Sequence, residues 1–287
     1  MAKRLTKVEF TNLDKVLFPQ QGITKSQVIE YYIRMAPRML DFLAGRPATL
    51  NRFPDGVNRE GFYEKNAPTG TPPWVDIFRR HSQSADRDIS YVLCNNLDTL
   101  IWMANLASIE VHVCLSKADS FETPDFALFD VDPEPPMGAE EVIQVSLLLK
   151  EKLESLGMRP YVKTSGKKGL HVIVPVHREY TFKQTREFVH GVGKSLTKDV
   201  EYVVAEFSQS KDPGTVFIDY LQNADGRTMV SPYSLRPTPG ATVSMPLEWK
   251  EVKKGLKFET FNLSTVIRAE GSPWKGMLKD RQKLEVI

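Results

Sequence analysis

Cysteine is nearly absent from this 287-residue sequence. Cys94 and Cys114 are the two it has, too few for a disulfide framework or a thiolate zinc cage. Both lie among apolar residues, as buried free thiols do, and this predicts a reducing compartment. A dominant charge of one sign is also lacking. Lys and Arg number 38 against 36 Asp and Glu, a formal +2, so no global excess marks a polyanion binder and any such site must be local. No stretch approaches the roughly 18 consecutive apolar residues of a membrane span, and no apolar run follows the opening Met-Ala-Lys-Arg-Leu-Thr-Lys as it would in a secretory leader. The expectation is a cytoplasmic protein, neither exported nor membrane-spanning. Repeats and low-complexity linkers are missing too: the 19 prolines and 17 glycines are scattered as punctuation between short elements, which predicts one compact unit.

What is present is an ordinary globular composition, 41% hydrophobic and 26% charged, enough to bury a core. Thr24 and Gln27 form a capping box ahead of Val28, Ile29, Tyr32 and Ile33 at helical spacing, and Pro37 is expected to break or bend that helix. Residues 46–66 read as strands around the Asp55-Gly56 turn, with a mixed basic and aromatic face. Residues 97–108 read as a helix apolar on most sides and therefore buried. Phe126 to Asp132 is an apolar strand that gains two carboxylates at its end before Pro133, Pro135 and Pro136. A helix over 139–156, stopped by Gly157, leads to a strand over 161–164, a turn over 164–169 and a strand over 171–176. Thr181 and Gln184 cap a further helix to about residue 198, and Val216 to Tyr220 is an apolar strand with one acid. This order predicts a mixed α/β sheet layered with helices.

Asp130 and Asp132, at i and i+2 of a strand, leave one face together. Adjacent anions repel unless a cation sits between them, and hard oxygen donors suit Mg²⁺ or Mn²⁺. Asp219, at the end of an apolar strand, is the candidate third carboxylate. The same Asp-x-Asp equally suits a strand end facing water. In Ser165-Gly166-Lys167-Lys168-Gly169-Leu170-His171, glycines free backbone amides to turn toward an anion, while a hydroxyl, ammonium groups and an imidazole supply donors. The spacing is not that of a Walker A loop, and a solvated hairpin with a core histidine fits it as well. His112 alone reads as a sheet histidine. Lys15, Lys25, Arg46, Arg52 and Lys65, with Phe62 and Tyr63 interleaved, suggest a backbone-and-stacking groove or a solvated face. No sequence-reading helix is apparent, so recognition of ends, gaps and phosphates is expected. The stretch Lys250, Lys253, Lys254 and Lys257 fits either a DNA contact or a solvated face, the commoner role of an exposed charge run.

Taken in order, the Asp-x-Asp, the Ser-Gly-x-x-Gly-x-His and Asp219 resemble the three motifs of the archaeo-eukaryotic primase superfamily. The blocks Asn12 to Pro19, Arg46-Pro47, Phe62 to Asn66, Trp102 to Leu106 with His112, Phe129 to Pro133 and Asp219 to Asn223 are similar to the polymerase domain of bacterial DNA ligase D. The resemblance runs from about residue 5 to about residue 275.

That resemblance implies an α/β (α+β) fold of the primase-polymerase type, a mixed, largely antiparallel β-sheet core layered with helices. It implies a single catalytic domain over 1–287, with a DNA-binding subregion of about 1–95 packed on a catalytic core of about 96–287. Asp130, Asp132 and Asp219 would hold two Mn²⁺ (or Mg²⁺) ions. Ser165, Lys168 and His171, with His112 and Arg236, would grip the nucleotide's phosphates. Asn12, Lys15 and Lys25 would recognise a 5′-phosphate at a gap or break, and Phe62 and Tyr63 would stack on the template beside Arg52 and Lys65. Tyr63 stands where Phe is commoner, and Asn51 where a basic residue is more usual. The implied activity is template-directed addition of nucleotides, ribonucleotides preferred, to a primer 3′-OH in non-homologous end joining. A primase starting chains de novo and a non-catalytic end-alignment module are the alternatives. The implied partners are 5′-phosphorylated DNA, nucleoside triphosphates, a separate DNA ligase and an end-binding protein, with no membrane; the implied location is cytoplasmic and nucleoid-associated. The protein is expected to act as a stand-alone polymerase.

Overall fold

The computed structural model describes residues 6–82 and 86–284. Residues 1–5, on which the expectation of no leader partly rests, lie outside them. Among the described residues no helix is long and apolar enough to cross a membrane. The chain forms two compact units, one of Met1–Cys114, Val230–Val243 and Asn262–Ala269, the other of Leu115–Met229, Ser244–Phe261 and Glu270–Ile287. The expected subregion of about 1–95 falls within the first unit, which also takes in 96–114 and the two later segments.

The first unit opens with the short pair Val16–Phe18 (β1) and Ile23–Thr24 (β2), then the helix Lys25–Leu43 (α1). The capping box forms as expected: the Thr24 amide donates to Gln27 Oε1 at 2.8 Å. Helical spacing puts Val28, Tyr32, Met35, Met39 and Phe42 on the buried face. Pro37 does not end the helix, which continues to Leu43. Pro37 and Ile33 both lie on the exposed face, so water can reach the carbonyl that lacks its amide. Next come Pro47–Arg52 (β3), Phe62–Glu64 (β4), Asp76–Ser82 (β5), Arg87–Leu93 (β6), the helix Leu97–Asn105 (α2) and Ser108–Cys114 (β7). Asn96 caps α2 by accepting from the Thr99 amide at 3.0 Å. The expected helix over 97–108 is too long: Ala107 turns the chain at φ 58° and Ser108 already belongs to β7. Cys94 and Cys114 are buried free thiols, as expected.

The second unit contains Phe126–Pro133 (β8), the helix Ala139–Ser155 (α3), Tyr161–Thr164 (β9), Leu170–Pro175 (β10), the helix Phe182–Leu196 (α4), Val203–Val204 (β11) and Val216–Asp219 (β12). Thr228–Val230 (β13) leads back to the first unit, Pro246–Leu247 (β14) belongs to the second, and Leu263–Val266 (α5) to the first. Sheet order is β13-β7-β3-β6-β5 in the first unit, with β4 also on β3, and β11-β12-β8-β10-β9-β14 in the second. In the second sheet β11 and β12 pair in parallel and the described pairings of the other neighbours are antiparallel. The expected mixed, largely antiparallel core is therefore present.

The period of two along each strand decides where chemistry can sit. Ala127, Phe129 and Val131 of β8, Leu170, Val172 and Val174 of β10, and Val216 and Ile218 of β12 join one core with Val142, Val145 and Leu149 of α3 and Phe188 and Val192 of α4. Burying each large side chain contributes roughly 1.5–3 kcal/mol. The alternate residues Asp130, Asp132, His171 and Asp219 must then leave by the opposite face.

Candidate active site and nucleic-acid interface

On that face Asp130 occupies the middle of a polar row. His171 of β10 is its cross-strand partner on one side and Asp219 of β12 on the other. His171 is buried, with Nε2 3.2 Å from Asp130 Oδ1. Asp132 follows two residues along β8. The charge of Asp130 is the main cause that raises the Asp132 pKa, to about 7, with desolvation second. Solvent still reaches the Asp132 side chain, so repulsion by its neighbour outweighs burial here. Asp219 is also raised, by burial first and by Asp130 among the other charges, while the Leu221 amide opposes the shift. Its Oδ1 accepts from that amide at 2.7 Å and its Oδ2 from Gln222 Nε2 at 3.2 Å.

Among the described residues, no three His, Cys, Asp or Glu side chains converge closely enough to enclose an ion as they stand. The donor chemistry nevertheless fits a divalent cation. Asp130 and Asp132 are hard oxygen ligands whose mutual repulsion such an ion would relieve. Asp219 adjoins them in register, its carboxylate held by its own loop.

The β9–β10 turn is built against the same strand end. Ser165 Oγ accepts from the Gly169 amide at 3.1 Å and the Lys167 amide at 3.3 Å, while Gly166 takes φ 76°. A Cβ on Gly169 would lie 2.3 Å from Val131 O and 2.6 Å from Asp132 Oδ1, so only glycine allows this approach. Lys168 is exposed at the turn and Ser165 is buried. The turn thus brings Ser165, Lys168 and His171 to the end of β8 that bears the acids.

A second cluster lies in the first unit, and Glu110 at its centre was missed by the sequence reading. Register places Asn51 opposite Glu110 across β3 and β7, and Tyr63 opposite Asn51 across β4 and β3. Glu110 Oε2 accepts from Asn51 Nδ2 at 2.6 Å and from the Tyr63 hydroxyl at 3.3 Å, and lies 3.1 Å from His112 Nε2. Arg236 Nε is 2.8 Å from Glu110 Oε1. Burial pushes the Glu110 pKa upward, but the His112 hydrogen bond, the Arg236 charge and the Asn51 amide outweigh it and bring it to about 2. Arg236 arrives there because fully buried tyrosines of α1 anchor its segment: Tyr31 donates to Tyr233 O at 2.8 Å, and Tyr32 donates to Ile109 O at 2.6 Å while accepting from the Leu235 amide at 3.2 Å. The available signal was alternation along β7, which sets Ser108, Glu110 and His112 on one face and Ile109, Val111 and Val113 on the other.

Asn12, Lys15 and Lys25 are brought together by backbone. Asn12 takes φ 49° in the turn, and the first amides of α1, Lys25 and Ser26, donate to Lys15 O at 2.8 Å and Leu13 O at 2.9 Å. Lys25 Nζ donates to Thr11 Oγ1 at 3.2 Å. Burial, then the charges of Lys15 and Arg52, lowers the Lys25 pKa; cations so gathered favour an anion. Lys15 meets Asp55 at 2.7 Å.

Phe62 and Tyr63 are exposed, 45% and 61%, as stacking platforms need. Arg52 lies over the Phe62 ring at 5.2 Å, pairs with Glu64 at 2.8 Å and donates to Leu106 O at 3.0 Å. Lys65 is exposed, as are Lys250, Lys253, Lys254 and Lys257. Arg46 corrects the expected groove: it is fully buried, with a guanidinium nitrogen 3.4 Å from Cys114 O, and faces no solvent.

Comparison with known proteins places nearly the whole chain among relatives. The bifunctional non-homologous end joining protein LigD of Bacillus subtilis is 32% identical over 281 residues, covering 96% of this chain and 45% of that protein. The multifunctional LigD of Mycolicibacterium smegmatis is 33% identical over 253 residues, covering 87% of this chain and 33% of that protein. The chain thus spans less than half the length of either relative. The solved polymerase domain of Mycobacterium tuberculosis ligase D, in complex with DNA, superposes with a TM-score of 0.87 at 28% identity, covering 96% of this chain and 100% of that one. The family described as LigD, primase-polymerase domain, matches residues 24–274, and the chain belongs to that family.

Proposed function

We propose that the protein is a template-directed polymerase that adds nucleotides, ribonucleotides preferred, to a primer 3′-OH at DNA breaks and short gaps in non-homologous end joining. The observation that carries this reading is the row of Asp219, Asp130 and His171 across neighbouring strands, with Asp132 and the Ser165–Gly169 turn at the strand end, in a chain of this family. The 3′ oxygen bonds to the α-phosphorus and the bond to pyrophosphate breaks. Two Mn²⁺ or Mg²⁺ ions, held by Asp130, Asp132 and Asp219, would supply the Lewis acidity that lowers the pKa of the 3′-OH and offsets charge on the leaving group.

The chain's own groups bind and orient. Ser165, Lys168 and His171, with His112 and Arg236, hold the triphosphate and spread its developing charge. Phe62 and Tyr63 stack on the template, with Arg52 and Lys65 beside them. Asn12, Lys15 and Lys25 receive the 5′-phosphate of the downstream strand by charge-assisted hydrogen bonds. The partners are 5′-phosphorylated DNA, nucleoside triphosphates, an end-binding protein and a DNA ligase activity, and the site of action is the cytoplasmic nucleoid.

Primer extension on gapped, 5′-phosphorylated DNA tests the reading. Extension that depends on Mn²⁺ or Mg²⁺ and is abolished by Asp130→Ala with Asp132→Ala is expected, with binding to the gapped duplex retained and the circular dichroism spectrum unchanged. Substantial extension by the folded double variant would sink the metal assignment. Efficient synthesis without a primer would favour a primase, and binding without extension an end-alignment module.

A further inference from the structure

We infer that Glu110 is a positioning residue for nucleotide addition: its carboxylate fixes the arrangement of Arg236, His112 and Tyr63 by accepting from or pairing with all three. The inference rests on assigning Arg236 and His112 to the incoming nucleotide.

The Glu110 side chain has no exposed surface, whereas those of Arg236 and His112 keep 9% and 11%. A group so enclosed cannot touch substrate, while Arg236 and His112 retain an opening. A buried carboxylate without partners would take up a proton. This one is held ionised instead, by groups from four separate stretches of chain. Asn51 comes from β3, Tyr63 from β4, His112 from β7 itself and Arg236 from the segment after β13. Tyr63 also meets the His112 ring edge-on, with centroids 5.5 Å apart. One anion therefore ties side chains of three neighbouring strands to Arg236 from a distant segment, and it offsets the repulsion that Arg236 and a protonated His112 would exert on each other. Asn51 adds a neutral donor to the cluster.

The experiment is steady-state primer extension by wild type, Glu110→Gln, Arg236→Ala and the double variant, with melting temperature measured alongside. Removing the charge while keeping the shape should raise KM for the nucleotide about tenfold, a usual effect of losing a group that orients a binding residue. Maximal rate at saturating nucleotide should change much less. In the Arg236→Ala background the same substitution should add little, because the two act as one unit.

Equal losses in both backgrounds, a fall in rate without a change in KM, or tighter nucleotide binding would each overturn the inference. Should Glu110→Gln not fold, Glu110→Asp keeps the charge and withdraws it by one methylene. A raised KM at near-wild-type melting temperature then supports positioning, and an unchanged KM overturns it. If Arg236→Ala and His112→Ala leave KM unchanged, the nucleotide assignment fails and the inference with it. If they raise KM while Glu110→Gln does not, only the role of Glu110 fails.

Discussion

Asp219 stands directly opposite Asp130 in the antiparallel pair of β12 and β8. Like charges in that relation are destabilising in the absence of a cation. His171, opposite Asp130 on the other strand, offsets part of the repulsion at 3.2 Å. The arrangement costs the free protein stability, and on the proposed reading a divalent ion would offset that cost.

The first prediction follows from Asp132. A carboxyl whose folded-state pKa lies above the unfolded value holds its proton more tightly when folded. Its contribution to stability is therefore present at low pH and falls as pH rises from about 4 toward about 7. Without divalent ions, Asp132→Asn should flatten this fall and melt above wild type at pH 8. Mn²⁺ should raise the melting temperature of wild type more than that of the variant. Identical pH slopes would contradict the repulsion.

The gathered lysines make the 5′-phosphate prediction specific. A terminal phosphate carries about −1.5 to −2 charges, and gapped DNA bearing it should bind more tightly than the same DNA without it. Lys15→Ala with Lys25→Ala should erase the difference while sparing single-stranded template. Asp55→Asn, which frees Lys15 from its 2.7 Å partner, should enlarge it. Dissociation constants at one fixed salt concentration provide the check. A double lysine variant that keeps the full preference would return those side chains to a solvated surface.

Gly169→Ala forces a methyl group against Val131 O and Asp132 Oδ1. Overpacking of this kind costs about 1–3 kcal/mol and displaces the acid. Denaturant unfolding should show the lost stability and primer extension a larger fractional loss. A fully active variant would mean that the turn need not approach β8 this closely.

Asn223 has a different role. Fully buried, it accepts from the Leu128 amide at 2.9 Å and donates to Leu128 O at 2.7 Å, so its side chain imitates a neighbouring strand and ties the loop after Asp219 onto β8. Asn223→Ala leaves both backbone groups unpaired, at a cost of about 2–4 kcal/mol. Activity should fall further than stability, because Asp219 loses its fixed position relative to Asp130. A loss below 1 kcal/mol in urea unfolding would show that water replaces the amide.

Local signals were legible because they act over a few residues. The Thr24–Gln27 and Thr181–Gln184 boxes open α1 and α4, and alternation along 126–132 placed Asp130 and Asp132 on one face. These depend on neighbouring dihedrals and on periods of 3.6 and 2, which any sequence displays. The same local rules overran at Ser108, where a single left-handed residue ends the helix sooner, and at Pro37 solvent access to one helix face lets the helix continue. Arg46 read as surface charge, yet tertiary packing encloses it completely. Nothing local relates residues 51, 63, 110 and 236. Strand register set by the hydrophobic faces brings the first three into one row, and the buried hydroxyls of Tyr31 and Tyr32 deliver the fourth. The sequence by itself determined which face of each element Asp130, Asp132, His171 and Asp219 share. Only the tertiary structure decided their partners, because pairing across distant segments depends on how the core closes rather than on the residues next in line.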